Sequence, residues 1–269
     1  MAKIAPTAVV DKTAQLGKNV TVGPGCVIGP NVALGDGCEL RANVYIAHDS
    51  ILGRNNLVYA NCVLGEDPQI VGVLETDTKL IIGDSNTFRE NVTINAGSSR
   101  GEGQTVIGHN TFFMIGSHVG HDCEIEDNCI LGNYVQVGGH CKLEQNVFLN
   151  ALTSLQPFAT VGRFAFTAAM STVHRDLPPF VRAGGVYPCE VRGLNVIGLQ
   201  RAGFSEQSVK ELMKAFRYIF RRRGEKSIAQ AVENFANEYP LDENVRYLLD
   251  SLQRSHQHRS GRYRELSRH

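Results

Sequence analysis

The chain has 269 residues, with 27 Lys and Arg against 27 Asp and Glu; this zero formal net charge argues against a dedicated nucleic-acid binder. At 42% hydrophobic and 20% charged, it is globular rather than disordered, with apolar residues enough for one large core. No apolar stretch approaches the roughly 20 residues of a membrane span, and the first residues lack a signal peptide's apolar core, so a cytoplasmic protein with reduced thiols is expected.

Six-residue periodicity organises the chain from its start. Every sixth residue from Ile4 is aliphatic: Val10, Leu16, Val22, Ile28, Leu34, Leu40, Ile46, Leu52, Val58 and Leu64. At this composition such a run has a chance of about one in ten thousand. A period of six is neither helical nor that of a simple amphipathic strand. It fits short flat strands joined by tight corners, with one aliphatic side chain inward on each face. Three hexads then make one triangular coil, and parallel pairing stacks coils about 4.8 Å apart. Gly follows the anchor at Gly17, Gly23, Gly29, Gly35 and Gly53, among others, and is expected to supply the unusual φ of the corners. Four residues after an anchor comes something small or β-branched. Cys26, Cys38, Cys62, Cys123, Cys129 and Cys141 all take that place, which marks them as packed core thiols.

Two excursions interrupt the pattern. From Glu66 to Lys79 the hexad fades, although Leu64 and Ile82 are still three hexads apart. The frame returns at Ile82, Phe88 and Ile94, and a Gly/Ser-rich run from Ala96 to Thr105 then shifts it by one. It resumes from Ile107 through Phe113, Val119, Ile125, Leu131 and Val137 to Val173, with Thr167 as its polar member. On so regular a scaffold, excursions are natural places for function, the alternative being tolerated surface loops.

Chemistry concentrates in His118, His121 and Asp122 of IGSHVGHDCEI and in His140 of VGGHCKL. Residues three hexads apart stack, which sets His140 over Asp122 and Gly139 over His121. An imidazole beside a carboxylate is the arrangement of an oriented general base. A Gly above it leaves room for a ligand and for a backbone N–H facing an oxyanion. The alternatives are a solvated histidine face or a metal cluster. β-Helical carbonic anhydrases hold a metal with a histidine pair five apart, whereas His118 and His121 are three apart.

Near Pro178 the character changes. Residues 1–177 carry 11 basic and 17 acidic residues, net −6, and residues 178–269 carry 16 and 10, net +6. Ser205–Arg222 has a helical apolar stripe with Ser205 as N-cap and Gly224 as stop; Ser227–Tyr239 and Glu243–Gln253 read as two further amphipathic helices. The polar, Arg-rich tail after His256 is expected to fray.

The hexad resembles the hexapeptide-repeat family of left-handed parallel β-helices. The expected fold is therefore mainly β, with such a helix over 1–177 followed by a C-terminal helical domain over 178–269. HVGHDCEI, the Gly-Gly-His of Gly138–His140, DLPPF at Asp176–Phe180, GLNVIGLQRAGFS at Gly193–Ser205 and GDSNTFRENVTIN at Gly83–Asn95 are more specific. They resemble the UDP-N-acetylglucosamine O-acyltransferases that begin lipid A synthesis. That resemblance implies His121 as general base with Asp122 beside it, and Gly139 as the oxyanion's backbone donor. It implies Gln69, His118, His140, Gln156, Asn195 and Arg201 as substrate-binding positions, with Phe166 and Ala169 at the acyl groove. It further implies a homotrimer, an acyl carrier protein as acidic donor partner that the clustered Arg221, Arg222 and Arg223 would attract, a UDP-sugar acceptor, and no metal or bound cofactor. For Asn195 the alternative is a helix cap, for Arg201 a solvated helix face, and for the arginine cluster a helix end complementing its dipole.

Departures from the family pattern leave the acceptor open. An Asp and a Lys of the first excursion are Ile70 and Gly72 here, a His is Asn95, another is Gln156, and the second Arg of a pair is Ala202. A related amino-sugar acceptor, a binding paralogue with lost activity, acetyl or succinyl transfer from coenzyme A, and a metal-dependent hydratase stand as alternatives. Ala169 in place of Gly at the groove's end points to shorter acyl chains.

Overall fold

A regular hexad folds as one two-residue strand and one corner, and the strands lengthen to three or four residues beside the excursions. In Thr21–Val22, Val27–Ile28 and Ala33–Leu34 the second residue is the anchor, and it is the buried one. The computed structural model, which describes residues 2–72, 77–222, 224–258 and 260–267, winds these strands into three sheets of 11, 9 and 8 strands, parallel but for one antiparallel pair beyond residue 177. Register advances by one three-hexad coil, as in Thr21↔Glu39, Val27↔Tyr45 and Ala33↔Ile51. Anchors from successive coils stack into one continuous apolar column, within which Phe88 and Phe113 lie ring on ring at 4.8 Å. All six cysteines of the small position are buried. Thr167 is fully buried among the anchors and satisfies its hydroxyl against Thr153 Oγ1 at 2.9 Å.

Three expectations are corrected. Gly17, Gly23, Gly29, Gly35 and Gly53 do not make the corners, since none of them has positive φ. They serve close approach instead, since a Cβ on Gly17 would stand 2.7 Å from the Asp36 backbone nitrogen one coil above. The left-handed corners fall two residues later, at Asn19, Gly25, Asn31, Gly37 and Asn55, because Gly and Asn tolerate αL better than most residues. Asp122 (φ 57°) and His140 (φ 61°) occupy two of these corners.

The spacing of Leu64 and Ile82 is not a coil. Leu64 pairs with Ile94 and Ile82 with Leu52, so this three-hexad interval is one face step plus a loop. Where a regular coil pairs Leu57 with Glu39, the first excursion moves its next partner out to Thr87, and the second moves the partner of Thr87 to Phe112. Both excursions therefore lengthen their coils without breaking the ladder. Residues 73–76 of the first excursion lie outside the described residues.

Beyond residue 177 the strand Val181–Gly184 extends the first sheet, and Glu190–Leu194 pairs antiparallel with it, closing the end of the stack. Among the described residues four α-helices follow: α1 (Val196–Arg201), α2 (Glu206–Arg221), α3 (Ile228–Glu238) and α4 (Glu243–Ser255). Ser205, Ser227 and Asp242 cap the last three, each accepting from a backbone N–H in the first turn. Their apolar stripes meet through Leu212, Phe216, Val232, Phe235, Leu248 and Leu252. Over its described residues the tail does not fray. It returns to the β-helix and ends in a 3-10 turn at Tyr263–Ser267, seated by Asp176. Among the described residues no helix is long and apolar enough to cross a membrane.

Candidate active site

Coil stacking brings His121, Asp122, Gly139 and His140 together as the spacing predicts. The His140 N–H donates to the His121 carbonyl at 2.9 Å, fixing one coil over the other. His121 Nδ1 donates to Asp122 Oδ2 at 2.7 Å, so its other nitrogen, Nε2, carries the basic lone pair. Directly above that ring lies Gly139, where a Cβ would fall 2.6 Å from His121 Nε2. Only glycine leaves this nitrogen accessible from that side. His140 meets the His121 ring edge-on at 4.9 Å and stacks on Phe158 at 4.4 Å.

Asp122 is nearly buried, with 3% of its side chain exposed. Burial by itself pushes the carboxyl up. Hydrogen bonds from His121 and from the Ser98 hydroxyl and N–H, with the nearby His140, outweigh it and hold Asp122 below the usual carboxylate range. Ser98 is the functional residue that periodicity misses. It comes from the second excursion, is fully buried, and donates to Asp122 through Oγ at 2.6 Å and N–H at 2.9 Å. Gly101 of the same excursion lies against the Asp122 carboxyl, where a side chain would collide. The phase break is thus the clamp that holds the orienting carboxylate.

These groups open into a cavity of about 950 Å³, walled by Ile70, Arg100 and Glu102 from the excursions, by Pro157 and Phe158 from the coil above, and by Arg264. Other expected positions lie elsewhere on the chain. His118 sits one face away and shares a 2.8 Å hydrogen bond with Thr93 Oγ1; burial first, and the neighbouring His121 second, push its pKa down. Gln69 and Gln156 are exposed beside the cavity, which their neighbours Ile70 and Pro157 line. Asn195 caps α1, accepting from the Gly198 N–H and donating to the Phe164 carbonyl at 2.9 Å. Arg201 is exposed in the last turn of α1, and Phe166 and Ala169 lie on a later coil, with Phe166 edge-on to Phe148 at 5.3 Å. Within one chain none of these four reaches the cavity.

His121, Asp122 and His140 offer ligand atoms within 4.8 Å of one another, as a metal centre would need. The spacing argues for a proton pair instead. Two tetrahedral ligands about 2.0 Å from zinc are roughly 3.3 Å apart, whereas His121 and Asp122 are 2.7 Å apart. Cys123, the thiol that lines the cavity, offers no alternative nucleophile, because burial pushes it well up, as burial pushes Cys62 and Cys129 up to about 12.

Residues 176–261 match a family model described as UDP N-acetylglucosamine O-acyltransferase, domain 2. Residues 104–139 match bacterial transferase hexapeptide repeats, and residues 2–100 match a GMPPB C-terminal domain. An acyl-[acyl-carrier-protein]–UDP-N-acetylglucosamine O-acyltransferase of Anaeromyxobacter sp. (strain Fw109-5) is 40% identical over 249 residues, covering 93% of this chain and 96% of its own. One of the same name from Sinorhizobium fredii is 39% identical, over 88% of this chain and 87% of its own. The solved UDP-N-acetylglucosamine acyltransferase of Bacteroides fragilis superposes with a TM-score of 0.88 at 31% identity, covering 93% of this chain and 96% of that one. On this likeness, carried through nearly its whole length, the chain belongs to the family of acyl-[acyl-carrier-protein]–UDP-N-acetylglucosamine O-acyltransferases, hexapeptide-repeat enzymes built on a left-handed parallel β-helix.

Proposed function

We propose that the protein moves a 3-hydroxyacyl group from acyl carrier protein to the 3-hydroxyl of UDP-N-acetylglucosamine, a step of lipid A synthesis, with His121 as general base. The observation that carries this reading is the His121–Asp122 pair, with Nε2 turned toward the space under Gly139. Nε2 removes the hydroxyl proton as the sugar oxygen attacks the thioester carbonyl. The C–O bond forms, and the carbonyl electrons move onto an oxyanion that the Gly139 N–H stabilises. Collapse breaks the C–S bond, and the leaving thiolate takes the proton from the imidazolium. Asp122 holds the Nδ1–H tautomer throughout and offsets the imidazolium charge. No enzyme nucleophile enters, in keeping with buried thiols held protonated.

A trimer supplies what one chain lacks. Tyr134, Leu152 and Met170, each one coil beyond the last, expose apolar side chains along one corner of the β-helix, suited to a neighbouring copy. In such an assembly Asn195 and Arg201 of a neighbour would reach the acceptor's phosphates. On α2 and α3 a groove edged by Lys210, Lys214, Arg217 and Arg222 with Tyr218 and Tyr239 is suited to an acidic carrier. Arg221 is tied instead to the Arg192 carbonyl at 2.9 Å, and Arg223 lies outside the described residues.

The test is incubation with 3-hydroxyacyl carrier proteins of several lengths, offering UDP-N-acetylglucosamine or its 3-amino analogue. Mass spectrometry should show an O-acylated nucleotide sugar, best with short donors. Acylation of the amino analogue alone would move the assignment to the amino-sugar reading, and no product with any donor would leave a binding paralogue.

A further inference from the structure

The C-terminal tail forms part of the catalytic cavity. From α4 it crosses back to the coil carrying Asp176, where it is fastened at several points. The Asp176 N–H donates to the Gly261 carbonyl at 2.7 Å, and Asp176 Oδ2 accepts from the Tyr263 N–H at 2.9 Å. Arg262 donates to the His174 carbonyl at 2.8 Å and to Glu265 at 2.9 Å, while only 12% of its side chain is exposed. These contacts deliver Arg264 to the cavity wall. Its Nε donates to the His140 carbonyl at 3.0 Å, and its Nη1 stands 3.4 Å from Glu124 Oε2.

His140 is one of the left-handed corners, so its carbonyl turns away from the ladder bonds that hold the flanking strands. Another corner carbonyl, that of Phe164, is likewise held from the C-terminal part, by Asn195. A guanidinium bonded to this backbone from far along the sequence fixes the coil that carries both Gly139 and His140 over His121. It also sets a permanent cation at the rim of a cavity that holds Asp122, Glu102 and Glu124, with Lys142 pairing Glu124 from the other side at 2.8 Å.

We propose that Arg264 is a positioning residue of the acyl-transfer site, holding the Gly139–His140 corner over His121 and closing a wall of the cavity with the returning tail. The inference rests on the reading of His121 as base, but part of its test does not require turnover. Arg264 acts through His140 and through its charge on the cavity; the tail seats it.

In full-length 15N-labelled protein, the amide signals of Gly139, His140 and Cys141 would be compared in wild type, Arg264→Ala and Arg264→Lys. Losing the hydrogen bond to the His140 carbonyl should shift these signals and leave distant ones in place, and Arg264→Lys should return them toward wild type. In parallel, kcat/KM of Arg264→Ala should fall about tenfold, the scale of one hydrogen bond to a charged group, while its thermal midpoint stays near wild type. Unmoved Gly139–Cys141 amides in Arg264→Ala overturn the inference, whatever the rate. A fall in rate that tracks a lowered melting temperature, without a local change at these amides, also overturns it, because it shows a merely structural tail. Shifted amides in Arg264→Ala, with a wild type that forms no acyl product, support the geometry of Arg264 and count against the acyltransferase reading alone.

Discussion

Gly139 and Ser98 show how much of the site depends on residues without titratable groups. A methyl at 139 would sit 2.6 Å from the basic nitrogen of His121, so Gly139→Ala must either displace the imidazole or block the approach of the sugar hydroxyl. Its kcat should fall at least about 100-fold, the scale of general-base loss, with thermal stability little changed. Ser98 acts through Asp122. A carboxyl held below its ordinary value in the fold contributes stability above the unfolded value, about pH 4, and loses it as pH falls through the lower folded value. Ser98→Ala removes one lowering hydrogen bond, so acid unfolding should begin at higher pH and stability at pH 7 should fall by about 2 kcal/mol. An acid titration followed by circular dichroism, with urea unfolding at pH 7, measures both. Stacking at one full coil makes Gly139 over His121 readable from sequence. Ser98 is not readable, because it reaches Asp122 from an insertion where the period, the only ruler of register, is broken.

At the scale of elements, the hexad predicts the inward residue of the strands from Thr21–Val22 onward, whereas Ile4 in the first coil is exposed, and the Ser205 cap predicts where α2 begins. The limits of periodicity are physical. Six-residue spacing says nothing about handedness of single corners, and the corner conformation belongs to Asn19, Gly25, Asn31, Gly37 and their equivalents rather than to Gly17, Gly23, Gly29, Gly35 and Gly53. An interval of three hexads between Leu64 and Ile82 cannot distinguish a coil from a strand-to-strand loop, and the pairing with Ile94 and Leu52 decides it. The tail reads as polar and frayed because its anchors, Asp176 and the His174 carbonyl, lie far away in sequence. Core energetics follow the stack: Phe113→Ala removes half of a buried ring pair, and urea unfolding should show a loss of about 3–5 kcal/mol. The thiols give an independent check. Iodoacetamide at pH 8 should label Cys189 first, while the six buried thiols react only after unfolding.

For the whole molecule, opposite charges divide along the fold: an acidic β-helix carries the proposed base, and a basic helical cap carries the groove proposed for a carrier protein. Light scattering should give about three times the 29.5 kDa chain mass, and Leu152→Arg, placed on the exposed apolar corner, should lower it. A monomeric wild type would remove the neighbour proposed to bring Asn195 and Arg201 to the acceptor. The central claim is narrower, that one imidazole oriented by one carboxylate drives the transfer. It is tested most directly by the single-turnover rate of acyl transfer from 3-hydroxyacyl carrier protein to UDP-N-acetylglucosamine, in wild type and His121→Ala. The account predicts acylated nucleotide sugar from wild type and a rate at least about 100-fold lower in a normally folded His121→Ala. Product formed at an undiminished rate by His121→Ala would contradict it.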